Sequence, residues 1–427
     1  MEKSSIFAKY IPILPNHSQN QPRRYYRARL PLSILTAIFI VLGFQLLILP
    51  RYVYRISPSV VKLSQYHLER LDARLQKCAE YSAPPIKYSV PAAATRTNPR
   101  WNSKTGQNET IILRNTTLFD GGTVLKKAFD IEFSDGIIKS ISPADTSAVA
   151  PPGVPSWDLG GRYVTPGLID LHSHHLAFAW PLLKATDDTN EISDDFGSLT
   201  PFVRVVDSIK AYDIGTTIIA SGGVTSSLIL PGSANIMGGE GFLVKNVLRS
   251  GPNREEVVEE ILLEHGVPKE ERRRYMKMAC GENPRHVYKH TRMGNAWIFR
   301  KHMERAKELL EKQDAWCLSA EAVRESGDAA AAASFMESAA KDNDAMELLE
   351  FDSTIAMLRG KIGINVHCYE TEDFEDMLKH SKEFGFRIQA FHHALSAWQV
   401  PELIKDSGES VCAFTWQAGW IETDSEQ

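Results

Sequence analysis

Apolar positions along this chain fall into three rhythms, and each predicts a different kind of element. The first is continuous. From Leu32 to Leu49 there is no charge, and only Ser33, Thr36 and Gln45 carry polar side chains. At 1.5 Å per residue the run covers roughly 27 Å, near the ~30 Å hydrocarbon core of a bilayer. Bracketed by Pro31 and Pro50, residues 32–49 therefore predict one transmembrane helix. The second rhythm is alternation with a period of two. TIILRNTTLF and TVLKKAFDIEFSDGIIKSIS, from Thr110 onward, read as short strands, with Asp135-Gly136 as a tight hairpin turn. In the third, strand-length apolar runs (LID at 168–170, SLILPGS, FLVKN, YMKMACG, KIGINVHCYE, RIQAFHHA and SVCAFTW) alternate with helical patterns such as AKELLEKQ and DFEDMLKHSKEFG. That order predicts an α/β domain of parallel strands joined by crossover helices. The stretch from about Asp314 to Asp344 reads as a solvated helical or loose insertion.

Charge orients the first element. Arg23, Arg24, Arg27 and Arg29 crowd its N-terminal side, against Arg51, Arg55 and Lys62 beyond it. The positive-inside rule then makes residues 1–31 a cytosolic tail and places the folded part in the lumen or outside the cell. Residues 50–109 are expected as a stalk, because 80–107 is rich in Pro, Ser, Thr and Asn. The sequons at Asn108 and Asn115 fall on the same side, which suits a glycoprotein.

Composition narrows the partners. The chain has 427 residues, room for two or three domains, and its 43% hydrophobic and 24% charged content excludes wholesale disorder. A net charge of −5 argues against nucleic acid as a partner, while the apolar run at 32–49 makes the membrane one. Cys78, Cys280, Cys317, Cys368 and Cys412 stand singly, which excludes a dense disulfide scaffold and a thiolate zinc site.

The histidines carry the candidate chemistry. His172 and His174 follow the LID strand, and residues i and i+2 of an extended chain point to the same side. His367 ends the strand INVH, and His392-His393 ends IQAF. Imidazoles at the carboxyl ends of three strands are a metal-site layout. His175, His265, His286, His290, His302 and His380 lie in loops or on helix faces and receive no role.

Val164-Thr-Pro-Gly-Leu-Ile-Asp-Leu-His-Ser-His174 resembles the first-strand signature of the metal-dependent amidohydrolase superfamily. SGGVTSSLILPGSANIMGGEGFLVK, MKMACGENPRHVY, TRMGNAWIFR and FHHA are similar to an imidazolonepropionase-like branch that is often grouped with sugar N-deacetylases. The resemblance runs from about Thr110 to Trp416. It implies a (β/α) TIM-type barrel over 166–427 with a small β-sandwich part over 110–165. It implies that His172 and His174 bind one divalent ion, while His367 and one of His392 or His393 bind a second, with zinc the expected metal. His393 is preferred, because Ala394 follows it as a small residue follows this ligand in the family. Lys277, as a carbamate, is the implied bridging ligand, with Glu282 and Glu240 as rivals. The loop GSANIMGG either presents backbone N–H groups to a polar substrate group or is a tight turn.

The family's catalytic aspartate ends an eighth strand, and this sequence has no place for it. WQAGW, ending at Trp420, closes the seventh strand, and Asp424 lies in the terminal ETDSEQ. The expectation is thus an incomplete barrel, with a truncated sequence ranked first, ahead of a noncatalytic remnant or completion by another chain. The implied function is a membrane-anchored, metal-dependent hydrolase of non-peptide carbon–nitrogen bonds. An N-acetyl-sugar deacetylase and an inactive tethered binding protein are the alternatives.

Overall fold

The computed structural model describes residues 32–43, 45, 65–87, 97–98, 110–145, 147, 149–247, 253–341, 348–406 and 411–413. The chain divides into two units, Met1–Lys62 and Leu63–Gln427. In the first, α1 spans Leu32–Gly43, twelve residues with no charged side chain. At 1.5 Å per residue it is about 18 Å long, well short of a bilayer core. Among the described residues no helix is long and apolar enough to cross a membrane. The single-pass anchor expected over 32–49 is therefore corrected, and with it the cytosolic and lumenal sidedness. Residues 44 and 46–49 of that run, and the expected tail 1–31, lie outside the described residues.

The larger unit opens with α2 (Gln65–Ser82), which falls inside the segment expected as a stalk. Leu71 of this helix is buried with Ala320 and Met336, Cys78 is disulfide-bonded to Cys317, and the Arg74 guanidinium lies 5.3 Å from the Trp316 ring. Five strands follow: β1 (Thr110–Phe119), β2 (Val124–Ser134), β3 (Ile137–Pro143), β4 (Ser156–Asp158) and β5 (Tyr163–Val164). They form one sheet in the order β3-β2-β1-β4, with β5 also paired to β1. Asp135 and Gly136 both take positive φ, 53° and 68°, between partners Ser134 and Ile137. A two-residue turn of that kind matches the strands' twist, as the DG pair predicted. The sequon Asn108 lies outside the described residues, and the Asn115 amide donates to Asp158 Oδ1 at 3.2 Å.

The second sheet has seven strands in chain order: β6 (Leu168–Ser173), β7 (Val224–Ile229), β8 (Met237–Lys245), β9 (Arg274–Ala279), β10 (Ile362–Cys368), β11 (Ile388–His393) and β12 (Val411–Ala413). Six run parallel and β8 runs against them. The all-parallel expectation is corrected here. Only residues 230–236 separate β7 from β8, too few for a crossover, so the chain must turn back on itself. The helices of this unit that follow β5 are α3 (Gly215–Ser221), α4 (Arg254–Ile261), α5 (Glu282–Tyr288), α6 (Arg292–Ser326), α7 (Ala329–Lys341), α8 (Asp352–Leu358), α9 (Thr371–Phe384) and α10 (Pro401–Asp406). The insertion expected over 314–344 is the second half of α6 followed by α7.

Burial explains the assembly. α9 sinks Phe374, Met377 and His380 from one face, and Phe374 meets the Phe391 ring of β11 edge-on at 5.1 Å. Met276, Met278, Ile364, Val366 and Phe391 are almost completely buried beside it. Each such side chain contributes roughly 1.5–3 kcal/mol by leaving water. The parallel strands thereby hold their carboxyl ends in a fixed register.

Candidate functional site

Register brings the candidate residues to one end of the sheet. His367 of β10 sits opposite His392 of β11, Cys368 opposite His393, and Lys277 of β9 opposite Asn365. His172 is the penultimate residue of β6, and His174 follows two residues later, just past the strand's end, as the extended-chain periodicity predicts. Their Nε2 atoms lie 3.1 Å apart, and His172 Nδ1 lies 3.0 Å from His392 Nδ1.

Both residues of the His392-His393 pair enter the cluster. Neighbouring side chains of a regular strand point to opposite faces. Here the backbone turns left-handed at His393 (φ 63°) and Ala394 (φ 49°), which breaks the alternation. The His393 ring lies 4.5 Å from that of His172 and 4.8 Å from that of His367, while His392 Nε2 is 2.9 Å from Asn365 Oδ1.

The rivals for the bridging position separate in space. Glu282 Oε1 contacts His367 Nε2 directly. Glu240 is absent from the cluster: its carboxylate accepts from Arg274 Nε at 3.1 Å and from the Ser353 hydroxyl. Lys277 is completely buried, and its Nζ donates to the Pro231 carbonyl at 3.3 Å. Burial alone pushes its ammonium down to about 7.

Sequence reasoning missed the polar residues that hold the ligand candidates. Asn283 Nδ2 lies 3.2 Å from His367 Nε2 and donates to Ser233 Oγ at 2.7 Å, and the Tyr369 ring lies 4.6 Å from that of His367. The available signal was adjacency: Asn283 follows Glu282, and Asn365 lies two residues before His367. In the GSANIMGG loop, the Gly232, Ala234 and Ile236 N–H groups donate to Thr189 O, Asn190 Oδ1 and Ser198 O. Those amides are satisfied within the protein, which favours the tight-turn reading.

Electrostatics keep the imidazoles neutral. Burial, then the Lys277 charge, pulls His174 down to about 4 and His367 and His392 down to about 3. His393 falls to about 3 through burial and then His367, and His172 is lowered well below its usual value. Neutral imidazole is the form that ligates a metal. Among the described residues, no group of three or more His, Cys, Asp or Glu side chains is arranged to hold a metal ion as it stands. The rings are closed on one another instead. The donor set nevertheless fits a borderline divalent ion, being rich in imidazole with one adjacent carboxylate. The buried Nδ1 of His367 has no hydrogen-bond partner among the described residues.

An α/β domain with a barrel-like sheet and histidines at its strand ends defines a class, and the comparisons agree. No protein-family model matches the chain. It is 39% identical over 281 residues to the amidohydrolase tasK of Hapsidospora irregularis, covering 64% of this chain and 27% of that protein. The chain thus spans about a quarter of that relative's length. An amidohydrolase from Thermotoga maritima MSB8 superposes with a TM-score of 0.54 and 26% identity, covering 71% of this chain and 70% of that one. The chain is similar to amidohydrolases in both sequence and fold.

Proposed function

We propose that this protein is a metal-dependent hydrolase acting on non-peptide carbon–nitrogen bonds of a small molecule. The observation that carries the reading is the convergence of His172, His174, His367, His392 and His393 at the carboxyl ends of three parallel strands, around buried Lys277. The two amidohydrolase relatives support the reaction class.

His172 and His174 would hold one divalent cation, zinc first, and His367 with His393 a second site. When bound, such a cation acidifies a water and polarises the bond under attack. The protein's own contribution is preparation. Burial keeps the imidazoles unprotonated, so they need not shed protons to ligate. His174 Nδ1 lies 2.8 Å from the Leu230 carbonyl, which orients the ring and leaves Nε2 facing the cluster. Asn365 does the same for His392 from the other side. Lys277, close to half-neutral at pH 7, can add its Nζ lone pair to carbon dioxide and lose a proton, leaving a carbamate anion as the bridging ligand. Glu282 is the carboxylate available to move a proton beside His367.

The test is metal loading and turnover of the same preparation. The chain is expected to hold at least about 0.5 zinc per molecule after dialysis and to release amine or ammonia from a panel of cyclic amides and N-acyl compounds. Zinc uptake without hydrolysis of any panel member would leave a binding protein in place of the enzyme.

A further inference from the structure

Two cysteines that the proposed chemistry does not use flank the residues it does. Cys280 follows β9 directly and Cys368 ends β10, and the two are disulfide-bonded with their Cα atoms 5.4 Å apart. His367 immediately precedes Cys368, and Glu282 lies two residues beyond Cys280. The bond thus straddles the contact between the Glu282 carboxylate and His367 Nε2. Between them the chain makes a turn that only glycine tolerates: Gly281 has φ +69°, and a Cβ there would lie 2.1 Å from Asp373 Oδ2.

We propose that the Cys280–Cys368 disulfide is a positioning element that holds α5 and its Glu282 against His367, and that a dithiol opening it loosens this contact. Three observations converge. First, α5 is only seven residues long and its Gly281 N-cap supplies no side-chain hydrogen bond, so the helix depends on its attachment points. Second, its N-terminal attachment lies at the bridge, where the Cys280 N–H donates to His367 O at 3.0 Å and Asn283 reaches both His367 and Ser233, while Tyr288 pins the far end through Asn235 and Glu191. Third, the two sulfurs differ in access. Cys368 is completely buried in the main core, while Cys280 is half-buried and borders a small cavity shared with Arg292, Asn295 and Asp373.

The redox step follows from that asymmetry. A thiolate of the dithiol attacks Cys280 Sγ, the Cys280–Cys368 bond breaks, and Cys368 leaves as a thiolate that takes a proton. The second thiolate of the dithiol then attacks its own sulfur in the mixed disulfide. Cys280 is released as a thiol, and the dithiol is left oxidised, so two electrons and two protons have moved to the protein.

The experiment is hydrogen exchange on the full chain, with and without dithiothreitol, read on peptides covering 281–291 and 366–372, with alkylation counting free thiols. Zinc affinity is measured on the same samples. Opening the bond is expected to raise exchange across 281–291 about tenfold or more in the otherwise folded protein. Cys280→Ser/Cys368→Ser should match the reduced state without reductant, and Cys78→Ser/Cys317→Ser should leave these peptides unchanged. Since the zinc arm rests on the proposed metal reading, it is scored separately. Reduction should weaken zinc binding about tenfold in the wild type and add nothing in Glu282→Gln. Unchanged exchange with both thiols free would overturn the tether, as would a disulfide that opens only on global unfolding. Raised exchange with no zinc bound in either state would keep the tether and remove the metal reading.

Discussion

His302 shows how far burial moves a single ionisable side chain away from the candidate site. It stacks on Phe351 at 4.8 Å, lies 2.8 Å from Thr354 Oγ1, and is pulled down to about 4 by burial and then by Arg305. Unfolding returns it to about 6.5, so between those values the unfolded chain binds more protons and stability rises with pH. Its contribution is complete above about 6.5 and is lost as pH drops towards 4. In His302→Asn, denaturant melts across pH 4.5–6 should show a slope shallower by up to about 1.4 kcal/mol per pH unit. An unchanged slope would place the lost protons elsewhere. The site invites a paired comparison. His380 is buried on α9 against Phe299, with Nδ1 3.4 Å from Glu383 Oε2, while His172 touches both His174 and His392. His172→Ala should abolish zinc uptake and His380→Ala should leave it within about twofold. Equal losses would end the strand-end assignment. His172, His174 and His367 were legible in the sequence because each ends a short apolar run. The joint placement of His392 and His393 was not, since alternation allows one or the other and only the left-handed backbone at His393 admits both.

Elements were legible where their signal is local. The DG hairpin needs two positive-φ residues, and the strands need only their alternation. The reversal of β8 was not legible: a parallel or antiparallel strand with both faces covered reads as the same apolar run, and the shortness of 230–236 decides its direction. The apolar run at 32–49 likewise read as a span, whereas the helix described within it covers Leu32–Gly43. The turn entering α5 makes a sharp prediction at this scale. Gly281→Ala forces a left-handed backbone and a collision with the Asp373 carboxylate, which Arg292 holds at 2.8 and 3.0 Å. The variant should lose about 1–3 kcal/mol or more and displace Glu282 from His367, checked by chemical denaturation alongside zinc affinity. Normal stability and affinity would mean that the turn relaxes at no cost.

At the scale of the larger unit, contacts distant in sequence decide what 65–82 becomes. Residues 65–82 fall in the segment expected as a stalk, yet Leu71 packs on Ala320 and Met336, and Cys78 is bonded to Cys317 across 239 residues. No local pattern encodes a partner that far along the chain. Closing so long a loop restricts the unfolded chain, so Cys78→Ser/Cys317→Ser should destabilise the fold by about 2–5 kcal/mol, measured by urea denaturation. No loss would make the bond incidental to stability. Zinc content decides whether the proposed strand-end histidine site holds a divalent ion. The wild-type chain and His172→Ala would be dialysed side by side against buffered zinc and measured by elemental analysis. The wild-type chain is expected to hold at least about 0.5 zinc and the variant less than about 0.2. A folded wild-type chain holding less than about 0.2 zinc would contradict it.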